Sequence, residues 1–102
     1  MAPTSTLEPA QDTERTTKLA PRWSVILHND PITTMDFVTD LLRTLFHKSQ
    51  ADAVRLMYEV HNSGSAVVEI TSLERAELYC EQIASLARPR GFPLVATLEP
   101  AD

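Results

Sequence analysis

The order of periodicities along this chain predicts an α+β sandwich, in which short strands are covered on one face by helices. Three observations carry that prediction. Segments rich in β-branched or aliphatic residues lie at 22–28, 65–70 and 94–98. Two segments with helical spacing of apolar residues separate the first pair of strands, and a third separates the second pair. Turn-forming residues mark the junctions at Asn29-Asp30-Pro31, at Gly64, and at Pro89, Gly91 and Pro93.

The first strand, 22–28, stops where Asn29 and Asp30 favour a turn and Pro31 has no N–H for a ladder. A helix is then expected over 34–47, capped by Thr33 or Thr34, with Asp36 in its first turn. Its apolar positions are Met35, Val38, Leu41, Leu42, Leu45 and Phe46. A second helix is expected over 50–62, capped by Ser49 and stopped by Gly64, with Ala53, Leu56, Met57, Val60 and His61 on or near one face. After the strand at 65–70, Thr71 and Glu74 have capping-box spacing and open a third helix that reaches Ala87. Its expected buried stripe is Leu73, Ala76, Cys80, Ile83, Ala84 and Ala87. A last strand covers Leu94–Leu98.

Composition narrows the function classes. At 102 residues the chain suits one small domain, whose ligand site would be a surface cleft and not an enclosed cavity. A net charge of −5 disfavours nucleic acid as a partner. The single cysteine, Cys80, excludes an internal disulfide and suits a reducing compartment. No apolar run has membrane-spanning length, and the N-terminus resembles neither a secretion signal nor a transit peptide, so a cytoplasmic location is expected. No metal or cofactor is expected: His28, His47 and His61 lack ligand spacing, and there is no phosphate-cradling glycine loop. Residues 1–21 hold few large apolar groups and read as a flexible extension to a core at 22–102.

The segment from Asn29 to Val38 places polar acceptors directly ahead of an apolar helix face. Such a segment suits an amphipathic ligand with a charged head, and it equally suits a plain Asx turn with a helix cap. Met57 and His61 lie four apart on the second helix, with Val60 beside them. Packing of the two helices would bring Met35, Val38, Met57 and Val60 into one apolar patch rimmed by Asn29, Asp30 and His61. For His61 the alternative is a helix-end imidazole bonded to exposed carbonyls.

Three linked motifs resemble the ClpS family of bacterial N-degron adaptors. They are Asn29-Asp30-x-x-Thr33-x-Met35-x-Phe37-Val38, then Leu56-Met57-x-x-Val60-His61-x-x-Gly64, then Pro93-Leu94 through Glu99. The resemblance implies a small three-stranded antiparallel sheet packed against three helices in β-α-α-β-α-β order, a fold related to the C-terminal domain of the ribosomal stalk protein. It implies a non-enzymatic, monomeric adaptor that delivers N-degron substrates to a ClpA- or ClpC-type AAA+ unfoldase for degradation by ClpP. Asn29, Asp30 and His61 would receive the substrate α-ammonium group. Ile32, Thr33, Met35, Val38, Met57, Val60 and Leu94 would shape the pocket for its first side chain, with Leu41 beneath. Glu74 matches an acidic position of the unfoldase interface, whereas a nearby position that is lysine in some members is Tyr79 here. The extension would engage the unfoldase. An acceptor role requires neutral His61, so recognition is expected to weaken as pH falls through the range where imidazoles protonate, about 6.5 in model peptides.

Two rival readings differ in class. An enzyme using Asp30 and His61 as an acid–base pair lacks an accompanying nucleophile, since Cys80 falls on the expected core face. A docking domain of the stalk-protein kind has no use for an Asn-Asp turn paired with a Met-x-x-Val-His helix.

Overall fold

The computed structural model describes residues 20–101. Strand β1, Trp23–His28, is followed by helices α1, Met35–Thr44, and α2, Gln50–Ser63. Strand β2, Ser65–Thr71, helix α3, Leu73–Ala87, a 3-10 turn at Arg88–Arg90 and strand β3, Val95–Pro100, complete the order. The sheet order is β2-β1-β3, antiparallel at both pairings. The predicted α+β architecture is therefore the one adopted.

The four inner residues of the central strand are all buried, and alternation decides which of them join the main core. Val25 and Leu27 are fully buried in the main hydrophobic cluster, and Ser24 and Ile26 at the alternate positions lie outside it. That cluster joins Val25 and Leu27 to Val38, Leu41 and Leu42 of α1, Phe46 just beyond it, Leu56, Met57 and Val60 of α2, and Ala76, Tyr79, Ile83 and Ala87 of α3. Phe46 and Tyr79 stack with ring centres 4.5 Å apart.

Three boundaries differ from the sequence expectation, each for a local reason. Helix α1 ends at Thr44 and not at His47. There the Lys48 N–H reaches back to the Leu42 carbonyl at 3.0 Å, and His47 adopts a left-handed φ of 57°. The cap of α3 is Ser72 and not Thr71, with the Ser72 hydroxyl accepting from the Arg75 N–H. Thr71 stays in the sheet because it pairs with Trp23. Of the expected stripe of α3, Ala76, Ile83 and Ala87 are buried; Tyr79 joins them in the core, whereas Leu73 is exposed and Cys80 is half-buried. The last strand is Val95–Pro100, leaving Leu94 in the preceding loop.

Helix α2 ends as expected, on Gly64 at φ 94°. No helix among the described residues is long and apolar enough to cross a membrane. The flexible extension expected for 1–21 lies outside the described residues except for 20 and 21.

These placements separate two kinds of stability loss. Leu27→Ala removes a fully buried side chain from the sheet centre and should cost about 2–5 kcal/mol in urea denaturation. Gly64→Ala meets no atom within 4 Å, so only the left-handed backbone is penalised, by about 1–2 kcal/mol. Equal losses for the two variants would contradict this description of the core.

Candidate functional site

The site is built where β1 stops. The Asn29 N–H donates to the Gly64 carbonyl at 2.9 Å, joining the end of the central strand to the end of α2. That bond fixes the Asn29-Asp30 turn against the helix terminus carrying His61, one turn back from Gly64.

Asp30 organises the turn. Its Oδ1 accepts from the N–H groups of Ile32, at 2.9 Å, and Thr33, at 2.7 Å. Its Oδ2 accepts from the Thr33 hydroxyl at 2.7 Å. Thr34, not Thr33, is the cap of α1, accepting from the Phe37 N–H at 3.1 Å. The two threonines that the sequence left interchangeable thus have separate jobs.

Partial burial of the Asp30 carboxyl pushes its pKa upward, but the Thr33 and Ile32 hydrogen bonds and the nearby Arg88 charge outweigh this. The carboxyl therefore titrates below its ordinary value of 3.8. A carboxylate has about four acceptor directions; three are taken inside the turn, so one remains on Oδ2. Among the described residues, no hydrogen bond engages the Asn29 side-chain amide or the His61 ring, and both residues are exposed. The cap of α2 is the Gly64 N–H on the Val60 carbonyl, so His61 does not bond the helix-end carbonyls.

The apolar residues that the sequence assigned to the site divide by burial. Val38, Leu41, Met57, Val60 and Leu94 are all buried in the same hydrophobic cluster. Ile32 and Met35 stand outward, 59% and 38% exposed. Thr33 is half-buried and tied to Asp30. Glu74 is exposed in the first turn of α3, well along the chain from this turn. Tyr79 is buried against Phe46, and its hydroxyl accepts from Arg75 Nη2 at 3.2 Å.

Sequence reasoning missed the loop that follows α3. Arg88 donates to the carbonyls of Phe92 and Leu94, and the Arg90 guanidinium lies about 5.5 Å from both the Phe37 and Phe92 ring centres. The only local signal was an Arg-Pro-Arg-Gly run, which reads as a helix stop.

The match to known proteins now decides the family. The model of the family described as "ATP-dependent Clp protease adaptor protein ClpS" matches residues 18–97. This chain belongs to the ClpS family. An ATP-dependent Clp protease adapter protein ClpS from Desulfatibacillum aliphaticivorans is 45% identical over 94 residues, covering 91% of this chain and 86% of the relative. A ClpS from Acetivibrio thermocellus is also 45% identical, over 78 residues, covering 76% of this chain and 79% of the relative. Agrobacterium tumefaciens ClpS2, solved bound to L-phenylalaninamide, superposes with a TM-score of 0.75 at 36% identity, covering 78% of this chain and 96% of that one. As a ClpS, the chain is an adaptor of the Clp protease and not itself an enzyme.

The turn and the charge of Asp30 are separable. Because the folded carboxyl is the more acidic one, its contribution to stability is complete well above pH 3.8 and fades as pH falls through the lower folded value. Asp30→Asn keeps an oxygen for the two backbone N–H groups and cannot titrate. Its stability deficit in urea should therefore shrink as pH is lowered below 3.8. Asp30→Ala, which leaves those partly solvated donors without their acceptor, should remain about 0.5–1.5 kcal/mol destabilised at neutral pH. A deficit for Asp30→Asn that does not change with pH would contradict the assignment.

Proposed function

We propose that this ClpS recognises the free N-terminal residue of a protein and carries it to a ClpA- or ClpC-type unfoldase for degradation by ClpP. Asn29, Asp30 and His61 receive the α-ammonium group. Ile32, Thr33, Met35, Val38, Met57, Val60 and Leu94, with Leu41 beneath, form the cleft for a bulky first side chain: Leu, Phe, Tyr or Trp. The bond from Asn29 to Gly64 is the observation that supports this reading most, because it ties the turn carrying Asn29 and Asp30 to the helix end carrying His61. A relative solved with L-phenylalaninamide adds support, since that molecule combines an amine with a benzyl side chain.

The chemistry follows from the donor count. An α-ammonium group has three donors and no acceptor, and the Asn29 oxygen, the remaining Asp30 direction and a neutral His61 nitrogen offer three acceptors. Charge-assisted bonds of this type contribute roughly 1.5–3 kcal/mol each, and burying a Leu or Phe side chain adds about 1.5–3 kcal/mol. After association costs, a total near −8 kcal/mol corresponds to about micromolar affinity, which suits cargo that must be released. Glu74, exposed at the start of α3, is the residue offered to the unfoldase. The adaptor works as a monomer in the cytoplasm alongside the protease.

Met35 sets the entry rule. Its partly exposed thioether at the cleft mouth crowds a first residue branched at Cβ, such as Val or Ile, and lets unbranched ones pass.

Fluorescence anisotropy tests the recognition step. Peptides beginning with unblocked Phe or Leu should bind about a hundredfold more tightly than N-acetylated copies, the equivalent of roughly two lost charge-assisted bonds. Equal affinities would remove the proposal. In the same assay Met35→Ala should improve binding of Val- and Ile-initial peptides by about tenfold, and no gain would refute the gate.

A further inference from the structure

We infer that Arg88 is a positioning residue that determines side-chain specificity in this cleft, by fixing where Leu94 stands relative to the Asn29-Asp30 turn. The inference deepens the proposed function and rests on it.

Arg88 sits at the C-terminal cap of α3, and its carbonyl accepts from the Gly91 N–H at 2.9 Å. Its side chain then spans the loop that this turn creates. Both hydrogens of a single nitrogen, Nη1, are used: one on the Phe92 carbonyl at 2.7 Å and one on the Leu94 carbonyl at 2.9 Å. Bonds from a guanidinium are charge-assisted and have fixed directions, so they set the depth of Leu94 more firmly than apolar burial, which has no preferred orientation. Leu94 itself is only 1% exposed and packs in one cluster with Val38, Leu41, Met57 and Val60.

The same loop is held from a second side. The Phe37 and Phe92 rings meet edge to face at 5.0 Å, and the Arg90 guanidinium lies against both. Phe37 belongs to α1, between Met35 and Val38. The loop is therefore a built wall joining α3, β3 and α1, with Leu94 as its inward residue. Arg88 also reaches the amine end of the cleft electrostatically, since its charge favours ionised Asp30. One side chain thus acts on both halves of the proposed ligand site.

The test compares Arg88→Gln, Arg88→Lys and Arg43→Gln with the unaltered protein, the last variant removing a charge from an exposed position of α1. Anisotropy titrations use peptides beginning with Phe, Trp and Leu, each with an N-acetylated copy. Arg88→Gln should weaken Phe and Trp peptides by about tenfold, the equivalent of one charge-assisted bond. Leu, which reaches less deeply, should lose clearly less, so the Phe-to-Leu affinity ratio changes by about threefold or more. Arg88→Lys keeps the charge without the planar fork and should also change the ratio, which keeps the test readable when the glutamine variant is poorly folded. Carboxyl carbon NMR of Asp30 should show its titration moving toward 3.8 in Arg88→Gln but not in Arg88→Lys or Arg43→Gln. Unchanged ratios in folded Arg88 variants, whether affinity is kept or falls uniformly, would overturn the inference. A failure of the unaltered protein to distinguish free from acetylated peptides would instead overturn the proposed function, and is read without any variant.

Discussion

One backbone hydrogen bond, from the Asn29 N–H to the Gly64 carbonyl, joins the two halves of the proposed binding face. It forms only because Gly64 adopts φ 94°, which ends α2 and turns the chain directly into β2 beside β1. His28 pairs with Ser65 in the sheet, so the next residue of each strand end is already within reach. Local backbone geometry and sheet register converge on the same contact. The proposed amine acceptors are then neighbours by construction, without any flexible loop having to close.

The turn that follows is rigid for the same kind of reason. Asp30 spends three of its acceptor directions on its own chain, which holds Thr33 and the start of α1 in place. Preorganisation of this kind lowers the entropy lost on binding. It also means that the carboxylate is structural first and available to a ligand second. The apolar part of the proposed cleft would be an extension of the core, since Met57, Val60 and Leu94 are core residues. A domain this small has too few side chains to keep a core and a binding cleft separate.

Much of this was legible in the residues. Helical spacing located α1 and α2, Ser49 and Gly64 bounded α2, and the Asn-Asp-Pro turn was evident. What could not be read was set by tertiary pairing. Thr71 looked like a helix cap and is held in the sheet by Trp23. The buried stripe of α3 keeps Ala76, Ile83 and Ala87 but takes in Tyr79, with Cys80 only partly buried against the core. His47 looked helical and instead closes the helix in a left-handed conformation, which histidine adopts less readily than glycine. The Arg88 clamp was invisible because its partners are backbone carbonyls, and no side-chain pattern marks a carbonyl.

Isotope-filtered NMR with L-phenylalaninamide bears most directly on the idea that strand end and helix end together form one amine-and-side-chain site. Contacts from the ligand ring to the methyl groups of Met57, Val60 and Leu94, with shifts of the Asn29 amide and His61 ring signals, are the predicted result. Ring contacts confined to the hollow between α1 and α3 lined by Thr44, Leu45 and Leu78, with Asn29 and His61 unperturbed, would contradict it.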